Sequence, residues 1–121
     1  MDSQGDTKLS IPRIKVLNKF IESLNIESKY ISKISKNDQN ELSVINEALT
    51  HTSANMRINY EKLEFLGDAV LRLIASQFIE KKFPNLKVGE RSELRSHLVS
   101  DKWLCKVGKR IKIIEILLMG P

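Results

Sequence analysis

Cysteine, proline, glycine and aromatic residues are all scarce in this sequence. Its 121 residues include one Cys, three Pro, five Gly, one Trp, two Tyr and four Phe. The single cysteine, Cys105, excludes an internal disulfide framework and suits a reducing compartment. No glycine-rich phosphate loop is present, so nucleotide binding of the P-loop or dinucleotide kind is unsupported. The aromatic residues are too few and too scattered for a platform on which single-stranded bases could stack. The two histidines stand far apart, and no Cys/His spacing suits zinc. The longest apolar run, Ile113 to Met119, is broken by Glu115 and is far too short to span a bilayer. The opening MDSQGD lacks the apolar stretch of a signal peptide. Together these absences predict a cytoplasmic protein with no membrane partner.

What is present reads as a globular chain. Hydrophobic residues make up 41% and charged residues 29%, and the length suits one domain with a single core. The net charge is +5 and the isoelectric point is near 9.4. That balance suits a polyanionic partner but is also common among proteins that never meet one, so charge alone decides little.

Apolar spacing predicts an all-α chain. Residues 1–9 read as a polar tail. Ser10 followed by Ile11-Pro12 predicts a capped helix over 11–24, with Ile14, Leu17, Ile21 and Leu24 on one face. A short second helix is expected over 27–34 and a polar loop over 35–40. Leu42, Ile45 and Leu49 then predict a helix from Glu41 to about Thr50-His51. Asn59 is the expected cap of a long helix that ends before Phe83-Pro84, since proline disfavours helix in the residue preceding it. A turn over 84–90 leads to a helix over about Glu90–Ser100, with Leu94 and Leu98 inward. Ser100 or Asp101 caps the next helix, and Gly108 is expected to stop it. The segment IIEILLMGP is ambiguous between a short strand and a buried helical turn. There is no internal repeat, no low-complexity tract and no strand alternation of any length.

The long segment Asn59 to Ile79 carries the chemistry. Glu61, Glu64 and Asp68 fall at i, i+3 and i+7, within an arc of roughly 60° on a helix. Leu63, Leu66, Val70, Leu73 and Ile74 gather on the opposite side, the expected core face. Glu64 and Asp68 are like charges at i, i+4, which is unfavourable in an isolated helix. Stacked carboxylates are hard ligands suited to Mg²⁺ or Mn²⁺, and paired metals of that kind activate water in phosphodiester hydrolysis. The plainer alternative is a solvated acidic face with Asp68 paired to Arg72, and spacing alone favours it.

Other residues admit two readings each. Phe65 lies on the acidic side, away from the leucine stripe. It could fill a pocket in the same chain or in a partner subunit, and pattern alone favours the same chain. His51, in ALTHTS, could serve as a ligand or base, but a histidine there more often hydrogen-bonds backbone at a helix end. Cys105 reads as a small core residue. Lys102, Lys106, Lys109, Arg110 and Lys112 form a basic cluster that reads first as a solvated face and second as a phosphate contact. An apolar run closed by Gly120-Pro121 needs something to pack against, which points to a truncated or split protein.

The stretch Glu61-Lys62-Leu63-Glu64-Phe65-Leu66-Gly67-Asp68-Ala69-Val70-Leu71 closely resembles the signature of the ribonuclease III family. Upstream, Asn46-Glu47-Ala48-Leu49-Thr50-His51-Thr52-Ser53 is similar to the family's ALTH-x-S segment. Downstream, Phe83-Pro84, Val88-Gly89-Glu90 and Leu94-Arg95-Ser96-His97-Leu98-Val99-Ser100 follow the bacterial pattern. The resemblance runs from about Leu42 to Pro121. It implies an α-helical endonuclease domain that acts as a homodimer on double-stranded RNA and leaves 5′-phosphate and 3′-hydroxyl ends with a short 3′ overhang. It implies Mg²⁺ ligands at Glu64 and Asp68, with Mn²⁺ as a possible substitute, and a supporting catalytic role for Glu61. It sends Phe65 to the partner subunit, against the reading from pattern. Recognition of A-form shape suits a basic protein.

Two departures from the family pattern bear on function. Val88 stands where many bacterial members carry an acid just before the glycine, and Glu90 follows that glycine. The family's second Asp/Glu pair lies on a later helix, and no such helix or C-terminal double-stranded-RNA-binding domain follows here. The resemblance therefore divides the chain into an N-terminal tail and helical extension, 1–40, and an incomplete endonuclease domain, 41–121. Two further readings stay open beside the nuclease. One is a non-catalytic module for dimerisation or RNA binding. The other is the inactive N-terminal part of a split enzyme completed by a second polypeptide.

Overall fold

Ser10 opens the first helix. In a computed structural model, which describes residues 8–27 and 39–121, its hydroxyl accepts from the Arg13 amide at 3.2 Å. That contact satisfies one of the amides a helix start leaves without a partner. Helix α1 then spans Ile11–Ser23, with proline in its first turn. The second helix, α2, is Gln39–Ala48, α3 is Glu61–Lys82, α4 is Val88–Leu98 and α5 is Asp101–Arg110. Short 3₁₀ turns lie at Thr52–Ala54 and Ile113–Glu115. Among the described residues there is no named strand, only an isolated parallel bridge between Thr50 and Leu118. The predicted all-α class holds. The helix expected over 27–34 lies outside the described residues apart from Glu27, and Gln39 and Asn40, expected in a loop, already belong to α2.

Contacts divide the chain into two compact units. The first holds the described residues up to Tyr60 together with Ile114–Pro121. Its core joins Leu17 and Ile21 of α1 to Leu42 of α2, with Leu49 and Thr50 buried just beyond. These are the faces that the 3.6-residue period picks out. Arg13 Nε donates to Asn46 Oδ1 at 2.7 Å across the same helix pair. Burial holds its guanidinium below the usual arginine range. Its Nη2 is buried with no partner, so the side chain serves this contact with part of its donor set unused.

The apolar end of the chain is held in this first unit. The Leu118 amide donates to the Leu49 carbonyl at 2.9 Å, and the His51 amide donates to the Leu118 carbonyl at 2.8 Å. Two residues on, the Gly120 amide donates to Ser53 Oγ at 3.0 Å. The segment IIEILLMGP forms a 3₁₀ turn that is not buried as expected, with Ile114 69% exposed, and then a one-bridge strand contact.

The second unit, Glu61–Ile113, is a run of three helices. Helix α3 ends at Lys82, just ahead of Phe83-Pro84, as proline requires. The turn is pinned by Arg91, whose Nε donates to the Leu86 carbonyl at 2.9 Å and whose Nη2 donates to Pro84 at 2.7 Å. Helix α4 starts at Val88, two residues earlier than expected, because Glu90 Oε2 reaches back to accept from the Lys87 amide at 3.0 Å. Arg95 Nη1 donates to Ser76 Oγ at 3.1 Å, and that hydroxyl donates to the Arg72 carbonyl at 2.8 Å. This relay ties α4 to the middle of α3.

Packing of α3 corrects the expected core face. Its buried residues are Ala75 and Ile79, which lie near the angular position of the acids rather than opposite them. Leu66, Val70, Leu73 and Ile74 are exposed, Leu66 at 66% and Leu73 at 58%. The reason is the hairpin after Pro84. It folds α4 back on the C-terminal half of α3 and covers the side that faces the turn, whatever the opposite stripe contains. Asn59 is not the residue that precedes α3 either, since the helix begins at Glu61 after Tyr60.

Ser100, one of the two expected caps, starts α5 by accepting from the Trp103 amide at 3.2 Å. Ser100→Ala should cost about 1 kcal/mol, read as a lower midpoint in denaturant with an unchanged slope. An unchanged midpoint would mean that the His97–Trp103 ring contact, at 5.5 Å between centroids, holds the helix start alone. Gly108 does not stop α5, which continues to Arg110. A Cβ on Gly108 would sit 3.3 Å from Ile113 Cγ2, so this glycine admits the returning chain. The left-handed exit falls instead to Lys112, at φ 57°. Cys105 is exposed, not a core residue. Trp103, Leu104, Val107 and Gly108 span one arc of α5, and at 100° per residue Cys105 falls beyond it.

Candidate functional site

The first turns of α3 carry the acids. Glu61 and Glu64 lie in its opening turn, where the unpaired amides and the helix dipole favour negative charge. Asp68 follows one turn after Glu64. Glu61, Glu64, Phe65, Asp68 and Arg72 line one open depression of about 530 Å³. The sequence-predicted acids are thus brought together on one face, beside Phe65.

Phe65 is 90% exposed. The expectation from pattern, that it fills a pocket of its own chain, is overturned. Its place on the acid side of α3, ahead of the half that α4 covers, leaves it nothing within its unit to pack on.

Arg72 Nε lies 3.7 Å from Asp68 Oδ2, and the two side chains are 62% and 67% exposed. The pairing that spacing offered as the plain alternative is therefore present. A surface i, i+4 pair of this kind contributes roughly 0.3–0.5 kcal/mol, so it does not prevent the carboxylate from taking another cation. Among the described residues no three His, Cys, Asp or Glu side chains converge as ligands for one ion. The set that is present, two carboxylates one turn apart and open to water, fits a Mg²⁺ that keeps most of its waters and takes phosphate oxygens from a substrate.

His51 is occupied structurally, the commoner of its two readings. Its Nδ1 accepts from the Ser53 amide at 3.1 Å and lies 2.7 Å from Ser53 Oγ. Its ring stacks on Tyr60 at 5.8 Å between centroids. Because Ser53 Oγ accepts from Gly120, its own proton is free to go to His51 Nδ1. This clasp of His51, Ser53 and Gly120 went unrecognised in the sequence. Its signal was the pairing of a histidine-serine turn with a glycine at the far end of an apolar run.

Val88, where many family members carry an acid, is 81% exposed at the start of α4. Glu90 is engaged in holding that start. Lys102, Lys106, Lys109, Arg110 and Lys112 are all exposed, which matches the solvated reading of the basic cluster.

A family profile described as Ribonuclease-III-like matches residues 41–121. The chain belongs to the ribonuclease III-like family. It is 55% identical over 96 residues to a protein named Ribonuclease 3 from Prochlorococcus marinus, covering 79% of this chain and 39% of that one. It is 33% identical over 123 residues to Ribonuclease 3 of Borreliella afzelii, covering 98% of this chain and 46% of that protein. The chain thus spans less than half the length of these curated relatives. Among solved structures it is similar to the nuclease domain of a ribonuclease III from Campylobacter jejuni, described for structural flexibility in a region involved in dimer formation. That likeness has a TM-score of 0.60 at 37% identity and covers 69% of this chain and 57% of the other. The ribonuclease III fold is therefore shared at the level of the nuclease domain. No helix among the described residues is long and apolar enough to cross a membrane.

Proposed function

We propose that this chain forms part of a Mg²⁺-dependent endoribonuclease that hydrolyses phosphodiester bonds in double-stranded RNA. Glu64 and Asp68 hold the metal, with Mn²⁺ as a substitute, and Glu61 assists its placement. The observation that carries this reading is the gathering of Glu61, Glu64 and Asp68 on the exposed opening turns of α3. The metal, when bound, supplies a polarised water and a positive field for the leaving oxygen. The chain's own residues fix where that ion sits, because a helix holds successive carboxylates at constant spacing.

The reading includes a homodimer. Phe65 and the exposed leucine stripe of α3 supply apolar surface, and a large exposed aromatic anchor is a common centre of such interfaces. Phe65→Ala should raise the dimer dissociation constant by about tenfold or more, measured by sedimentation. Equal association of variant and wild type would remove Phe65 from the interface.

Long double-stranded RNA incubated with Mg²⁺ tests the activity. Shortened duplexes with 5′-phosphate ends are expected. Duplex left intact at high protein concentration, with binding retained in EDTA, would favour the second reading, an RNA-binding or dimerisation module. One observation favours that second reading: among the described residues no three His, Cys, Asp or Glu side chains converge on one point. Completion by a second polypeptide predicts cleavage only when that chain is added.

A further inference from the structure

Arg72 has no part in the activity proposed above, yet it stands within the acidic face. At 100° per residue it falls about 20° from Glu61 and about 40° from Asp68 around α3. It lines the same depression as the three acids, and its Nε lies 3.7 Å from Asp68 Oδ2. Ser76 fixes the backbone beneath it by donating to the Arg72 carbonyl at 2.8 Å. The side chain is 62% exposed and free to swing into water.

We propose that Arg72 is a built-in counter-ion that competes with the divalent cation for Asp68 and so sets the metal affinity of the site. The inference rests on the metal-binding role proposed for Asp68. A metal that takes Oδ2, or both oxygens, of that carboxylate must displace the guanidinium that now faces Oδ2. The guanidinium cannot lose its proton near neutral pH, so the conflict is relieved only by moving the side chain. The pair is weak enough to be displaced, which makes Arg72 a tuning residue rather than a block. Its charge still repels a doubly charged ion after displacement. For a single and a double charge within one Debye length in water and salt, that repulsion corresponds to roughly a three- to tenfold change in affinity. The same charge partly offsets the like-charge contact of Asp68 with Glu64.

The test is a titration of the full chain with Mn²⁺, the unbound ion being read by its electron paramagnetic resonance signal. Wild type, Arg72→Gln, Arg72→Lys and Asp68→Asn are compared at about 0.05 and 0.5 M salt. Arg72→Gln should bind about three- to tenfold more tightly than wild type at low salt, with the gap narrowing at high salt. Arg72→Lys, which keeps the charge, should stay within about twofold of wild type. Equal or weaker binding by Arg72→Gln, while Asp68→Asn loses binding, overturns the counter-ion role and leaves the metal role of Asp68 standing. Binding that Asp68→Asn leaves intact overturns that metal role and the inference with it. Thermal melts of each variant keep these outcomes separate from unfolding.

Discussion

Asp68→Asn is expected to lower Mg²⁺-dependent cleavage of double-stranded RNA by about 100-fold or more while leaving the fold intact. The substitution changes one atom at the acid and removes its charge. A hard divalent ion has little affinity for a neutral amide oxygen in place of a carboxylate. Losing even an outer partner of a metal ligand commonly costs about 10–100-fold in affinity or activity, so losing the ligand itself should cost at least as much. Stability should hardly move, because Asp68 is 67% exposed and its pair with Arg72 is of the surface i, i+4 kind. The change expected there is no more than about 0.5 kcal/mol. Initial rates on long duplex RNA, set beside thermal melts, separate the two effects. If the loss lies in affinity, a large excess of Mn²⁺ should restore part of the rate. Cleavage within a fewfold of wild type would remove Asp68 from the metal site. A matching loss in the melting temperature would make the carboxylate a structural group instead.

The parts of this molecule that were legible in the sequence are those governed by local rules. Ser10 and Ser100 cap the helices that follow them, and Phe83-Pro84 ends α3. Leu17, Ile21 and Leu42 are buried at the spacing a helix dictates. The acids were placed correctly on one face, since three positions on a rigid helix cannot do otherwise. Failures came where the answer depended on what else packs nearby. The stripe from Leu66 to Ile74 has the pattern of a core face, but a pattern names a side of a helix and not the neighbour that covers it. Here α4 covers Ala75 and Ile79 instead. Phe65 failed for the same reason. Gly108 looked like a helix stop because glycine suits a left-handed exit, yet its use is the close approach of Ile113. Lys112 takes the exit, a position where a β-carbon carries a cost. Cys105 has the residue type of a core position, but its angle on α5 turns it to solvent.

Gly120→Ala is the second substitution with a large expected effect, and it tests how the end of the chain is held. A Cβ built on Gly120 falls on the Ser53 carbonyl. That neighbour is backbone, held by the 3₁₀ turn at Thr52–Ala54, and cannot swing aside as a side-chain tip would. The glycine is needed here for space rather than for backbone angle, because no glycine among the described residues has positive φ. The added methyl must therefore push the segment away, breaking the bond from the Gly120 amide to Ser53 Oγ. The adjoining bonds at Leu118 would be strained next, and the contacts of Leu118 with the Leu49–His51 backbone would loosen. Overpacking of this kind typically costs about 1–3 kcal/mol. The loss should appear as a lower denaturation midpoint. Faster hydrogen exchange should appear at the His51 and Leu118 amides, and not at those of α4 and α5. Ser53→Ala separates the two ingredients: it removes the hydroxyl that Gly120 and His51 share but adds no clash. It should cost only about 1 kcal/mol and leave the bond from Leu118 to Leu49 protected. If Gly120→Ala proves no worse than Ser53→Ala, the close approach is not what holds the segment, and the hydrogen bonds to residues 49–53 carry it by themselves.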